Sequence, residues 1–247
     1  MLPAVILAGG RGSRFKELTD EVPKPLWMLP GRTTILEEII KRLTQARVSE
    51  IYVTCAYLAD IICRYIKPRY PRCGLVLQDI AINTPVDAIL AMEHSLANDF
   101  LVVHGDHWFS LNPFPDLLSR HATGDVTFLI ENPAQTRKTG YDIQCIKDTT
   151  SNELNYLFPR STAHVESPHL EWVRLIDGCH VLPQKTFSII RQARAAGEGM
   201  SGMRDLFRYI AERGITKMRG VPLVGSWENI NDQPAYGRTV RRIYDEL

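Results

Sequence analysis

A run of small apolar residues that stops on a cluster of glycines constrains this chain more than any other feature. Residues 4–8 (Ala-Val-Ile-Leu-Ala) are continuous and apolar, which reads as a buried strand. Gly9, Gly10 and Gly12 follow within four positions. Glycine lets a backbone turn sharply and approach a ligand closely, because it has no Cβ. Successive N–H groups in such a turn form a concavity that suits phosphate oxygens. Arg14 and Lys24 add fixed positive charge beside it, one as a planar fork and the other as a compact point charge. Strand, turn and cations together make a seat for a triphosphate. Two other glycine motifs are excluded. No Gly-x-x-x-x-Gly-Lys-Ser/Thr run occurs, and the dinucleotide pattern Gly-x-Gly-x-x-Gly fails at Phe15.

The residues that follow alternate short apolar runs with helical patterns. Thr34-Ile-Leu-Glu37 is a capping-box pattern that opens an amphipathic helix to about Arg47. Residues 51–57 are β-branched and aromatic and predict a strand. Residues 58–66 predict a helix ended by Pro68 and Pro71. Residues 75–78 predict a third strand, 84–96 a helix with proline in its first turn, and 100–104 a central strand. This order gives α/β architecture with a mostly parallel central sheet and right-handed crossovers. Ligands in such sheets bind at the carboxyl ends of the strands, so the glycine turn, Gln78 and Gly105-Asp106 share one rim.

The later part predicts a strand at 126–131, then short strands at 141–146, 153–158 and 172–176. Helices at 184–196 and 204–213, a strand at 216–224 and a terminal helix from 234 complete it. The pattern suits a mixed or antiparallel extension on the substrate side. No linker rich in Pro, Gly or Ser divides the chain. One domain over 1–247 is expected, with a nucleotide half at about 1–130 and an acceptor half at about 131–247.

Composition narrows the setting. With 247 residues and 45% hydrophobic content, the chain can bury a full core. A net charge of +1 gives no case for nucleic acid or an acidic membrane surface. Five cysteines without C-x-x-C spacing argue against a disulfide framework or a zinc site and for a reducing compartment. The N-terminal apolar run is too short for a signal peptide or a membrane span. The expectation is a cytoplasmic protein; a homo-oligomer is compatible with the sequence.

The glycine stretch, followed by Pro23-Lys24-Pro25-Leu26, resembles the signature of the sugar nucleotidyltransferases, or NDP-sugar pyrophosphorylases. Their pattern is Leu-Ala-Gly-Gly-x-Gly-Thr-Arg-Leu, then Pro-Lys-Pro-Leu about ten residues on. Here Ser13 stands for the threonine and Phe15 for the final leucine. The resemblance implies a Rossmann-like three-layer sandwich, the GT-A-like nucleotidyltransferase fold. It implies that Leu7, Ala8, Gly9, Gly10, Gly12, Ser13 and Arg14 bind nucleotide, and that Arg14 and Lys24 serve catalysis. By the same resemblance Asp106, in its Gly-Asp pair, holds Mg²⁺, a cation that prefers oxygen ligands. His104 and His107 flank it and are read as structural rather than as zinc ligands.

Residues 227–236 look like the family's Trp-x-Asp-Ile-Gly-Thr-Pro-Glu-Asp-Tyr, with Asn229 at the second metal position. Asp232 is the rival ligand, three residues on. Gln78 falls at the base-reading place. Its amide matches the imide edge of UTP or dTTP, though a polar strand end reads the same way. Thr84 belongs to the segment that follows and is assigned to the nucleotide. On the acceptor side Lys24, Gly140, Glu166 and Asp177 are the candidates. Ser167 replaces a lysine that meets the acceptor phosphate, and Ile176 replaces a sugar-contacting asparagine.

The implied reaction is nucleotidyl transfer. A phosphate oxygen of the acceptor, most simply a sugar 1-phosphate, attacks the α-phosphorus of an NTP, and pyrophosphate leaves. The departures at 167 and 176 keep a cyclitol phosphate, phosphocholine or a phosphonate open as acceptor. Two rival functions are a non-catalytic, nucleotide-sensing relative and a glycosyltransferase. The second usually needs Asp-x-Asp, and residue 108 is Trp.

Overall fold

The computed structural model describes residues 1–15, 18–79, 84–131, 143–156 and 169–246. The chain forms two compact units that interleave in sequence. Met1–Asn83, Val102–Phe114 and Gly225–Leu247 make one; Thr84–Leu101 and Pro115–Val224 make the other.

The first unit is built on parallel strands. Ala4–Leu7 pairs in parallel with Ile51–Cys55, Ala4 opposite Ile51, and Ile51–Cys55 pairs in parallel with Gly74–Leu77. The end of the strand Phe100–His104 lies on the other side of Ala4–Leu7. Ala4, Val5 and Ile6 are fully buried, as the continuous apolar run requires. The helix Ile35–Gln45 opens on the capping box read from sequence. The Thr34 hydroxyl accepts the Glu37 N–H at 3.2 Å, and the Glu37 carboxylate accepts the Thr34 N–H at 2.9 Å. It buries Ile35, Leu36, Ile39, Ile40 and Leu43, the spacing of one helical face. The helix Ala59–Arg69 runs past Pro68. A proline in the last turn loses one N–H bond without a following turn to disrupt, so it does not stop the helix where the sequence expectation put it.

Two short antiparallel ribbons complete this unit. Met28–Leu29 pairs with Thr33–Thr34, and His107–Phe109 pairs with Trp227–Asn229. The helix Gln233–Glu246 follows, with Asp232 Oδ1 accepting the Ala235 N–H at 2.8 Å at its start.

The second unit carries a mixed sheet. Val126–Glu131 pairs in parallel with Met218–Pro222 and antiparallel with Leu170–Leu182. Ile143–Asp148 pairs antiparallel with Leu170–Leu182 and with Leu154–Tyr156. Leu170–Leu182 is one strand whose register shifts between Leu175 and His180, rather than a strand ending at 176. A bulge of this kind absorbs the extra residues and lets pairing resume. Phe128 of the sheet meets Phe207 of the helix Met203–Glu212 edge to face at 4.7 Å, and the helix Thr186–Ala195 precedes it in the chain. The pair Arg174–Glu131 is buried at 3.0 Å. The helix opening at Pro85 ends at Leu90, shorter than its pattern. The mostly parallel sheet and the mixed extension are those expected of this α/β fold. None of the five cysteines forms a disulfide. Among the described residues no helix is long and apolar enough to cross a membrane.

Candidate active site

The glycine turn is held at three points. Ala8 N–H donates to Thr54 O at 3.0 Å, Tyr57 N–H to Gly9 O at 3.2 Å, and Phe15 N–H to Gly12 O at 2.9 Å. Gly12 sits at φ +66°, and a Cβ there would come within 3.1 Å of Thr19. A side chain at 12 would be strained by backbone and by neighbour alike. Leu7 ends the strand, Ala8 and Gly9 are buried, and Gly10, Ser13 and Arg14 are exposed. Phe15, buried, packs edge to face on Trp27 at 4.3 Å.

Asp106 is tied to that turn through its neighbour. Gly105 N–H donates to Leu7 O at 2.9 Å, and a Cβ on Gly105 would stand 3.1 Å from that carbonyl and 3.3 Å from Ala8 Cβ. With glycine there the loop after 104 lies close to the strand that feeds the turn, and a larger residue would force that backbone to shift by a few tenths of an ångström. The C-terminal segment is hooked on next, by Ile230 N–H to Asp106 O at 2.9 Å and by the pairing of Asn229 with His107.

Lys24, in the short turn Lys24–Leu26, is 9% exposed. Its ammonium donates to Asp106 Oδ2 and, at 3.4 Å, to Asn231 Oδ1. Burial acts to raise the Asp106 carboxyl. The Lys24 ammonium, and then the imidazoles of His107 and His104, outweigh it and hold the group well below the usual carboxylate range. Burial pushes the His107 imidazole down to about 3, against the pull of Asp106. Asp106 is therefore ionised and His107 neutral near pH 7.

Several buried polar atoms here have no hydrogen-bond partner among the described residues: Asp106 Oδ1, Asn229 Oδ1, His104 Nε2, both ring nitrogens of His107, and Gln78 Oε1. Each such atom costs about 1–3 kcal/mol when left unpaired. The oxygens of Asp106 and Asn229 are a donor set that fits a hard divalent cation. Asp232, by contrast, caps the final helix. Gln78 follows its strand, its N–H donating to Cys55 O at 2.8 Å.

Thr84 and Asp177 belong to the second compact unit. The Thr84 hydroxyl caps its helix, accepting the Asp87 N–H at 3.1 Å and donating to Asp87 Oδ2 at 2.5 Å. Asp177 is exposed on the shifted stretch of Leu170–Leu182. Gly140 and Glu166 lie outside the described residues, as does Ser167. Sequence reasoning missed Asn231, whose one signal was a polar side chain where the family pattern has glycine. It also set aside His104 and His107, which stand beside Asp106, the ligand atoms of the three within 4.8 Å of one another.

Residues 3–228 match the nucleotidyl transferase family. The bifunctional protein GlmU of Methanococcus maripaludis is 26% identical over 239 residues, covering 93% of this chain and 51% of that protein. The chain thus spans about half the length of the curated GlmU relatives it matches. A 2-aminoethylphosphonate cytidylyltransferase of Lancefieldella rimae is 31% identical over 150 residues, 56% of this chain and 60% of that one. The inositol-1-phosphate CTP transferase of T. maritima shares the fold at TM-score 0.75 and 13% identity, covering 100% of this chain and 98% of that one. With the family match running from the first strand to the ribbon that carries Asn229, the chain belongs to the nucleotidyl transferase family.

Proposed function

We propose that this protein joins the NMP moiety of an NTP to a phosphorylated small molecule, with release of pyrophosphate. One observation carries the reading. Lys24, Asp106 and Asn231 form one bonded cluster, and Gly105 ties the loop of Asp106 to Leu7, which leads into the glycine turn. A cationic turn and an ionised carboxylate then address the same phosphates.

The turn amides and Arg14 hold the β- and γ-phosphates and stabilise the pyrophosphate as it leaves. Lys24 neutralises charge developing at the α-phosphate. The attacking phosphate is already ionised, so the chain supplies no general base. Asp106 and Asn229 would hold a divalent cation, for which Mg²⁺ suits the two oxygens, and it would supply charge neutralisation at the phosphates. Gln78 reads the base, with a pyrimidine imide edge as its match. Lys24 serves the acceptor, together with Gly140, Glu166 and Asp177 of the half from about 131 onward. The protein works in the cytoplasm.

A sugar 1-phosphate is the leading acceptor. A non-sugar acceptor is the second reading, favoured by Ser167 and Ile176 and by the 31% identity to a cytidylyltransferase named for 2-aminoethylphosphonate. The test is a matrix of the four NTPs and dTTP against sugar 1-phosphates, inositol 1-phosphate, phosphocholine and 2-aminoethylphosphonate, read as pyrophosphate. Release with one pair supports transfer and names the acceptor. NTP binding without release from any pair sinks it in favour of nucleotide sensing.

A further inference from the structure

The proposed reaction asks for two oxygen ligands, yet the atoms gathered at Asp106 are not all oxygens. Asp106 Oδ1, Asn229 Oδ1, His104 Nε2 and His107 Nε2 are all buried and without a hydrogen-bond partner among the described residues. His107 is 1% exposed. Its Nε2 lies 3.9 Å from Asp106 Oδ1. Asn229 is the register partner of His107 across the ribbon, so the two side chains project from the same face. The other carboxylate oxygen, Oδ2, is taken by Lys24, which leaves Oδ1 to turn toward the rings.

The chemistry of these atoms is narrow. A carboxylate oxygen and an amide oxygen only accept, and each neutral imidazole keeps one lone pair. The rings of His104 and His107 are tilted 52° at 5.5 Å rather than stacked on each other. A buried histidine kept for packing normally bonds at least one nitrogen, and His107 bonds neither. With Nε2 as the lone-pair nitrogen of each ring, a ligand that satisfies all four atoms receives lone pairs from oxygen and nitrogen together.

We infer that His104 and His107 are cation ligands, and that the site is a mixed nitrogen–oxygen shell that takes a first-row transition cation such as Mn²⁺ or Co²⁺ in preference to Mg²⁺. Mg²⁺ dehydrates reluctantly and uses oxygen, so the imidazoles offer it little. Later first-row divalent ions gain from imidazole. The inference deepens the nucleotidyl-transfer reading, yet cation binding is measurable with no nucleotide present.

The full-length, metal-stripped chain is titrated with Co²⁺, followed by visible absorption, and with Mn²⁺, followed by pulsed EPR for directly bonded ¹⁴N, each with Mg²⁺ competition. The expected result is imidazole ¹⁴N coupling and at least tenfold tighter binding of Co²⁺ than of Mg²⁺. His104→Asn, at the less buried ring, weakens Co²⁺ binding tenfold or more. Mg²⁺ binding moves less than threefold. His107→Gln does the same if it folds, and His104→Asn decides the matter if it does not. Mn²⁺ bound without ¹⁴N coupling, or a Co²⁺-to-Mg²⁺ preference unchanged in His104→Asn, overturns the inference. Imidazole-bound Co²⁺ without pyrophosphate release from any substrate pair counts against nucleotidyl transfer and leaves this assignment standing. Transfer supported by Mg²⁺ with no imidazole signal does the reverse.

Discussion

Lys24 is the residue on which the site's charge balance turns, since its ammonium serves Asp106 and Asn231 at once. Lys24→Gln removes the positive charge while keeping a donor. Its kcat is expected to fall by about 10²–10³, the scale of losing one transition-state donor. The nucleotide Kd, by isothermal titration, changes far less; equal losses in both would deny Lys24 its catalytic part. Asn231→Gly restores the family's glycine and frees Lys24 from its second partner. KM for the acceptor and kcat are expected to shift several-fold in steady-state assays, with thermal stability changed by under 1 kcal/mol, the usual range for a surface-proximal polar change. The glycines, Arg14, Lys24 and Asp106 could be nominated as candidates from sequence because each sits in a short local motif. The environment of Asn229 could not. That its oxygen is buried without a partner, whereas Asp232 is consumed as a helix cap, is a fact of tertiary placement. The same holds for the two histidines, whose orientation no spacing encodes.

Elements that announce themselves by long periodicity were read well. Val126–Glu131 and Phe100–His104 match their apolar runs to the residue, and the Thr34 capping box forms as written. The ribbon of His107–Phe109 with Trp227–Asn229 went unread, since three-residue strands more than a hundred positions apart leave no pattern. Yet that ribbon carries Asn229 to Asp106. Gly105 does the equivalent work between the first strand and the loop after 104. Gly105→Ala would press a methyl group to within 3.1 Å of Leu7 O, where backbone must yield. The expected cost is about 1–3 kcal/mol in urea denaturation. The larger effect is a loss of nucleotide affinity, because turn and carboxylate are displaced together. An unaltered Kd would mean that the two are not coupled there.

At the scale of the whole molecule, acid stability follows from two groups. The His107 imidazole is held down to about 3 by burial, from an ordinary value of about 6.5. Its neutral form is the native one. The stability linked to it is full above about pH 6.5 and is lost as pH falls toward 3. Asp99 is lowered too. Burial would raise it, but the N–H groups of Gly124 and Gln184 and then His121 outweigh that. Its contribution is present above the unfolded carboxylate value and disappears as pH drops below it. The urea midpoint is therefore expected to decline already between pH 6 and 5. His107→Gln flattens that first decline, whereas Asp99→Asn lowers the midpoint at pH 7 and flattens the steeper fall below pH 4. A decline that begins only near pH 4 in the parent protein removes His107 from this account. The interleaving of the two units carries a consequence in time. The unit that holds the glycine turn closes only when Gly225–Leu247 returns to it. Asn231 reaches Lys24 from 207 positions further along the chain. A nascent chain can fold much of its sheet early, but it cannot complete the cluster around Lys24 until that returning stretch has been made.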